Sequence, residues 1–343
     1  MSLRSIYLVC GALFAFGSAV SQTNSQYRNL VFEGAGIRGI AYSGVIKELE
    51  TRKILTSIEN VGGTSAGAIT AMMLSLGYTS EEIFKIIADT KFEKFNDGQY
   101  FFIGGMHRFK KRYGWYRSKA FTKWLETIIE QKTGNADIRF SELKDRGFKN
   151  LYVTATCLNQ QKLVVLSAAN YPTMKIKDAV RISMSVPFYF EASFVDSVGT
   201  IIEKPKNSAG LDIMVDGGIL GNFPIFIFDQ QTLNSKGINE RVFNTSTIGI
   251  RIDTDEQIAQ DKLNPQLTPV SINKLSDYVQ AFYNIVLENL NRNQLAPEDW
   301  QRTISVSNVG IGPKIKRLSQ KQKLSLMESG EKAAREYFER SKS

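Results

Sequence analysis

The sequence predicts an α/β fold, a three-layer α/β/α arrangement around a mostly parallel central sheet. Three observations carry this. Short apolar runs that read as buried strands alternate with stretches of helical periodicity, the pattern of βαβ units with helices on both faces. The sharpest local motif, Gly63-Thr64-Ser65-Ala66-Gly67, sits where a strand pattern (Ile58, Val61) turns into a helix of small and apolar residues from Ala66 to Leu76. Finally, 343 residues at 43% hydrophobic and 22% charged suit one large α/β domain or two modest ones, neither disordered nor transmembrane-rich.

The elements follow in order. Residues 1–21 read as a signal peptide, apart from the fold. Arg4 is a short basic start, Ile6 to Phe16 is an apolar run too short to span a bilayer comfortably, and Ala19 and Ser21 occupy the small-residue positions of a cleavage site. Export to a periplasm or the outside, peripheral to a membrane, is the expectation. Cys10 is no lipidation site by this reading, because Val9 is larger than the residue wanted before it. Cleavage leaves Cys157 as the one cysteine, so no intrachain disulfide forms.

Leu30 to Phe32 predicts the first buried strand, and it runs into Gly34-Ala35-Gly36-Ile37-Arg38-Gly39. A helix ends near Arg52, and the second strand leads to Ser65. Thr79 caps a further helix whose first turn carries Glu81 and Glu82. From Phe92 to Trp115 periodicity is lost. Phe95, Tyr100, Phe101, Phe102, Phe109, Tyr113 and Trp115 alternate with Gly104, Gly105 and the cations Arg108, Lys110, Lys111 and Arg112. That stretch reads either as a glycine-hinged lid or interface-binding surface, or as an ordinary excursion whose aromatics pack inward. Ser118 to Lys132 is helical, Leu151 to Leu158 and Lys162 to Ser167 form a hairpin, and Ile176 to Met184 is a helix stopped by Pro187. Asp196 to Ala209 is a polar insertion. The strand Leu211 to Val215 delivers Asp216-Gly217-Gly218. Ser246 to Ile252 and Thr303 to Val306 are strands, and Ile272 to Leu290 and Ser319 to Arg340 are helices. Ligands of such sheets bind beyond the carboxyl ends of the strands. Gly34, Ser65 and Asp216 each lie just past a predicted strand, so they are expected on one rim.

G-x-S-x-G is a nucleophile-elbow pattern. Side chains at Gly63 or Gly67 would collide with neighbouring backbone, and the turn leaves Ser65 exposed at a helix start whose dipole favours negative charge. A hydroxyl needs a base. The chain has one histidine, His107, and it precedes Asp216 rather than following it as the α/β-hydrolase order requires. That leaves a carboxylate acting directly. Asp216 is the best candidate, because Gly217 and Gly218 allow a tight turn against the elbow; a turn-forming Asp-Gly is the alternative. The Gly34–Gly39 pattern fits either a dinucleotide pyrophosphate cradle or an anion nest serving as an oxyanion hole. No acidic residue follows at the position a dinucleotide fold expects, and there is no Walker lysine.

Together these residues resemble the patatin-like phospholipase family, which shows G-x-G-x-[KR]-G, then G-x-S-x-G, then D-G-[GA]. Here they are Gly34 to Gly39, Gly63 to Gly67 and Asp216 to Gly218. Ser183 to Phe190 also resembles a family block with a proline near the active site. The resemblance covers about 29–229, leaving 230–343 as a part that completes the domain and ends in a basic helix. Ala35 stands where many relatives have a third glycine; its N–H survives. The resemblance implies a Ser65–Asp216 dyad without histidine, hydrolysis of lipid acyl esters, an oxyanion loop spanning Gly34, Ala35, Gly36, Ile37, Arg38 and Gly39, and no metal or cofactor. Arg38 either braces its loop by an ion pair or attracts a phosphate head group.

The formal charge is +9, and +8 once Arg4 is removed. No nucleic-acid module is present, so anionic lipid is the better partner, at a membrane or micelle surface; plain solubility is the other reading. Three rival functions remain: an acyltransferase using the same acyl-serine, a non-catalytic exported lipid-binding protein, and a dinucleotide-dependent oxidoreductase. The last leaves the elbow and Asp216 unexplained.

Overall fold

The structure is a computed structural model, and it describes residues 26–98, 103–203, 205–234, 237–261, 263, 266–275, 277–278, 281, 285, 288, 291–292, 294–312 and 317–340. The expected signal peptide and the aromatics Tyr100 to Phe102 lie outside the described residues, as does most of the expected Ile272–Leu290 helix.

The strands, in chain order, are β1 (Asn29–Phe32), β2 (Asn60–Gly63), β3 (Gly114–Tyr116), β4 (Asn150–Cys157), β5 (Lys162–Leu166), β6 (Phe188–Phe190), β7 (Ser193–Val195), β8 (Asp212–Asp216), β9 (Gln230–Leu233), β10 (Asn239–Val242), β11 (Thr247–Asp253) and β12 (Thr303–Ser307). The helices that position the site are α1 (Ala41–Thr51), α2 (Ala66–Ser75), α3 (Ser80–Asp89), α4 (Ile103–Arg112), α5 (Lys119–Thr133), α6 (Phe140–Asp145), α7 (Ile176–Ser183) and the short α8 (Gly218–Gly221). A long terminal helix, Gln320–Arg340, packs on α1.

The main sheet runs β12-β11-β1-β2-β4-β8-β7, with β5 paired to β4. Pairings from β12 through β4 are parallel, and those of β5, β7 and β8 are antiparallel. The parallel strands are buried on both faces, as their continuous apolar runs require: Leu30, Val31, Phe32, Val61, Ile248 and Ile250 have no exposure. Residues beyond 229 complete the sheet, since β11 lies directly against β1. At the α3 start, Thr79 accepts from Glu82 N–H and Glu82 returns a bond to Thr79 N–H, a capping box that fixes the turn after α2.

Two expectations change. The stretch Phe92 to Trp115 is not irregular throughout, because α4 and β3 lie within it. α4 turns Arg108 inward and Met106 and Phe109 outward, the reverse of the face a core helix shows, so its pattern did not read as a buried helix. The second change concerns β8, which brings Asp216 to the rim from the opposite direction.

Candidate active site

Ser65 sits between β2 and α2 with φ 53° and ψ −120°, a conformation uncommon for a non-glycine residue. Such strain costs on the order of 1–3 kcal/mol and persists only where surroundings over-determine it. They do here. The Ser65 N–H donates to Ser183 Oγ at 2.9 Å, Gly67 N–H donates to Thr64 O at 2.7 Å, and Ile69 N–H to Ser65 O at 3.2 Å. The Thr64 hydroxyl donates to Gly221 O at 2.7 Å, tying the elbow to the segment after Asp216. A Cβ on Gly67 would overlap the Phe32 and Glu33 carbonyls of β1, and one on Gly63 would stand 2.5 Å from the Gly67 backbone. The motif's glycines are there because β1, β2 and α2 meet backbone to backbone.

Asp216 arrives by an unusual route. β4 uses one edge for β5; along the other it pairs first with β2, up to Gly63 opposite Val153, and then with β8, where Asp216 lies opposite Ala155. β2 and β8 therefore abut end to end along β4, running toward each other. Their facing ends are separated by two residues of β4, about 7 Å. All three motifs share one rim, but only Gly34 and Ser65 follow parallel strands; Asp216 comes from an antiparallel one entering from outside. A helix-strand alternation cannot announce that reversal.

The carboxyl group is buried, with 6% exposure. Burial pushes its pKa up to about 7, while the Gly218 N–H, 2.7 Å from Oδ1, and the Ser65 hydroxyl favour the charged form and pull it back. The Ser65 hydroxyl thus lies within reach of the carboxylate. It also donates to Met184 Sδ at 3.3 Å, a weak acceptor that competes poorly with an ionised oxygen. The Asp216 N–H donates to Ser185 O at 2.9 Å.

The Gly34–Gly39 loop divides into two kinds of residue. Ala35 (φ −131°, ψ 0°) followed by Gly36 in the left-handed region (φ 56°) forms a concave nest. Among the described residues, the N–H groups of Ala35, Gly36 and Ile37 are not spent on backbone carbonyls. The N–H of Gly34 is spent on Asn222 O at 2.9 Å and that of Arg38 on Ala35 O at 3.3 Å, while Gly39 lies inside the 3-10 helix Gly36–Ile40. The six-residue donor set narrows to three. Arg38 does brace the loop, but through Nε to the Ala35 carbonyl at 3.1 Å rather than through a carboxylate.

Several residues of the site carry no sequence motif of their own. Ser183 and Ser185 clamp the backbones of Ser65 and Asp216, and only the block from Ser183 to Phe190 hinted at them. Asn222 spans two loops: its backbone O holds Gly34, and its Nδ2 donates to Gly34 O at 3.1 Å. Behind them Glu33 is buried. Burial raises its pKa to about 7 against the pull of Arg251, 3.9 Å away, and Ile252 N–H donates to it at 3.0 Å. Signals for these partners lie far away in sequence, which is why pattern reading missed them. His107 is on α4, but its side chain lies outside the described residues. Among the described residues no group of three or more His, Cys, Asp or Glu is placed to hold a metal ion, and no helix is long and apolar enough to cross a membrane.

A strained serine, a buried carboxyl group and a nest of free N–H groups is the equipment of acyl transfer through a serine ester. Comparison with known proteins agrees in kind. The chain is 29% identical over 316 residues to the uncharacterized protein R571 of Acanthamoeba polyphaga mimivirus, covering 92% of this chain and 94% of that one. It is 28% identical over 207 residues to the probable lipid hydrolase 463L of Invertebrate iridescent virus 6, covering 59% of this chain and 63% of that one. In fold it is similar to VipD from Legionella pneumophila, with a TM-score of 0.53 at 16% identity over 92% of this chain and 67% of that chain. The family model for patatin-like phospholipases matches residues 30–229, from β1 through Asp229 and so across all three motifs. The chain therefore belongs to the patatin-like phospholipase family.

Proposed function

We propose that this protein is an exported lipid acyl hydrolase of phospholipase A or lysophospholipase type, acting through Ser65 and Asp216. The observation that carries the reading is the meeting of the Ser65 hydroxyl with a buried carboxyl group whose pKa is about 7. A base of that strength is half-ionised near neutral pH, so it accepts the serine proton and returns it within one cycle.

The steps follow from the geometry. Asp216 accepts the hydroxyl proton as Ser65 Oγ bonds to the ester carbonyl carbon. The carbonyl oxygen takes the negative charge and meets the N–H groups of Ala35, Gly36 and Ile37, each well-placed donor contributing roughly 3–4 kcal/mol. The C–O bond breaks, and Asp216 returns the proton to the leaving alcohol. Water then loses a proton to Asp216 as it attacks the acyl-serine, the bond from the acyl carbon to Ser65 Oγ breaks, Asp216 returns the proton to that oxygen, and the fatty acid departs.

The test is direct. Ser65→Ala and Asp216→Asn should each lower hydrolysis of a soluble ester at least about 10³-fold while the circular dichroism spectrum is unchanged. A fluorophosphonate probe should label the parent at Ser65 and leave Ser65→Ala unlabelled. Turnover like the parent's in either folded variant removes that residue from the mechanism.

A further inference from the structure

Helix α4 is built inside out. Its inward side carries charge. Arg108, 5% exposed, donates through Nε to Trp115 O at 3.0 Å and lies 3.9 Å from Glu191, while Arg112 pairs with the same carboxylate at 3.0 Å. Its outward side is apolar. Met106 is 48% exposed, Phe109 37% and Tyr113, which continues the last turn through its N–H to Phe109 O at 3.1 Å, 45%. Met106 and Phe109 lie one turn apart on α4, a spacing that ordinarily faces a core, and Tyr113 stands just past the helix end in the left-handed region (φ 63°). Phe188, at 68% exposure, joins them with its ring 5.9 Å from that of Phe109. Lys110 and Lys111 are exposed beside it.

We propose that this face, Met106, Phe109, Tyr113 and Phe188 with Lys110 and Lys111, is the surface on which the protein docks to an anionic phospholipid bilayer. Charge complementarity selects that partner. The segment 103–112 carries four Lys and Arg residues and no acid, and among the described residues Glu191 is the one acid paired with it. Aromatic side chains flanked by lysines suit the boundary between head groups and acyl chains. Position agrees. Phe188 lies four residues after Met184, whose sulfur touches the Ser65 hydroxyl, so the Cα atoms of Met184 and Phe188 are at most about 14 Å apart. The proposal rests on the lipid-hydrolase reading for its purpose, but it is tested separately.

The experiment uses the full chain carrying Ser65→Ala, so that vesicles stay intact, in co-sedimentation with phosphatidylcholine vesicles with and without phosphatidylglycerol. Partitioning should be strong only with phosphatidylglycerol and should weaken with added salt. Phe109→Ser combined with Phe188→Ser should lower it about tenfold or more, and Lys110→Glu combined with Lys111→Glu should abolish the preference for the anionic lipid. The lysines are solvent-exposed, so that pair keeps the test alive if the apolar pair misfolds. Equal binding to neutral vesicles, or binding that neither pair weakens, overturns the proposal. So does a parent that binds no vesicles, including one that sediments as a dimer dissolved by Phe109→Ser. A Ser65-containing parent that hydrolyses a soluble ester without binding vesicles sinks this inference and spares the catalytic reading. One that binds but hydrolyses nothing does the reverse.

Discussion

The backbone N–H of Ser65 donates to the hydroxyl of Ser183 at 2.9 Å, and two residues later the carbonyl of Ser185 accepts the N–H of Asp216 at the same distance. One turn at the end of α7 therefore holds the backbones of both Ser65 and Asp216, the proposed dyad. Ser183 is fully buried, so its hydroxyl has little else to bond.

Ser183→Ala should consequently act on rate rather than on affinity. Losing the bond leaves the strained Ser65 conformation under-determined and its half-buried N–H unsatisfied, a cost of about 1–3 kcal/mol. We expect kcat on a soluble ester to fall about tenfold with KM nearly unchanged. Steady-state kinetics check this, and Ser183→Thr, which keeps the hydroxyl, should recover part of the loss. A shift confined to KM would assign Ser183 to substrate contact instead.

In the proposed mechanism Asp216 sets the pH dependence. As a base with pKa about 7, it should give kcat/KM that rises with pH and levels off above neutrality. Stability should move the other way. The folded pKa, about 7, lies above the ordinary 3.8, so this group's stabilising contribution is complete below pH 3.8 and is lost as pH rises through 7. The Asp216→Asn variant cannot ionise, so it should gain on the parent between pH 4 and 8, by on the order of 4 kcal/mol at most. Urea unfolding of both proteins across that range gives the difference, and a flat difference would mean that the carboxyl group is not desolvated.

Asn222 joins the segment after Asp216 to the proposed oxyanion loop through two bonds to Gly34. Asn222→Ala keeps the backbone bond and removes the amide. The nest should loosen relative to Ser65, lowering kcat about tenfold with a smaller effect on unfolding. Labelling by a fluorophosphonate, whose phosphoryl oxygen occupies the same nest, should slow in proportion; unaltered labelling would show that Asn222 does not position the loop.

Gly67→Ala tests the backbone contact between α2 and β1. The added methyl meets the carbonyls of Phe32 and Glu33, neither of which can retreat without breaking the sheet. Destabilisation of about 3 kcal/mol or more is expected, and the thermal midpoint reports it. A midpoint within a degree or two of the parent's would mean that the two elements have room to part.

Much of this molecule was legible without coordinates. The strands around Val31, Val61, Leu151 and Thr303 follow from short apolar runs, the helix after Gly39 from a 3.6 period and the one after Ser65 from a run of small and apolar residues, all of which are local properties. So do the three glycine-marked motifs, because close backbone approach leaves its trace as missing side chains. What the chain could not announce were its long-range pairings. That β8 runs against β2 along the same edge of β4 depends on residues some 150 positions apart. The clamp from Ser183 to Ser185 and the bridge from Asn222 are side-chain and backbone bonds with no periodic signature. The helix α4 was hidden for the opposite reason: its pattern was present but reversed, with arginines turned in toward Glu191 and aromatics left outside. Sequence by itself determined the elements and the chemical parts, since these are written within a few residues; only tertiary structure decided which ends face each other, because strand direction and burial are set by partners elsewhere in the chain.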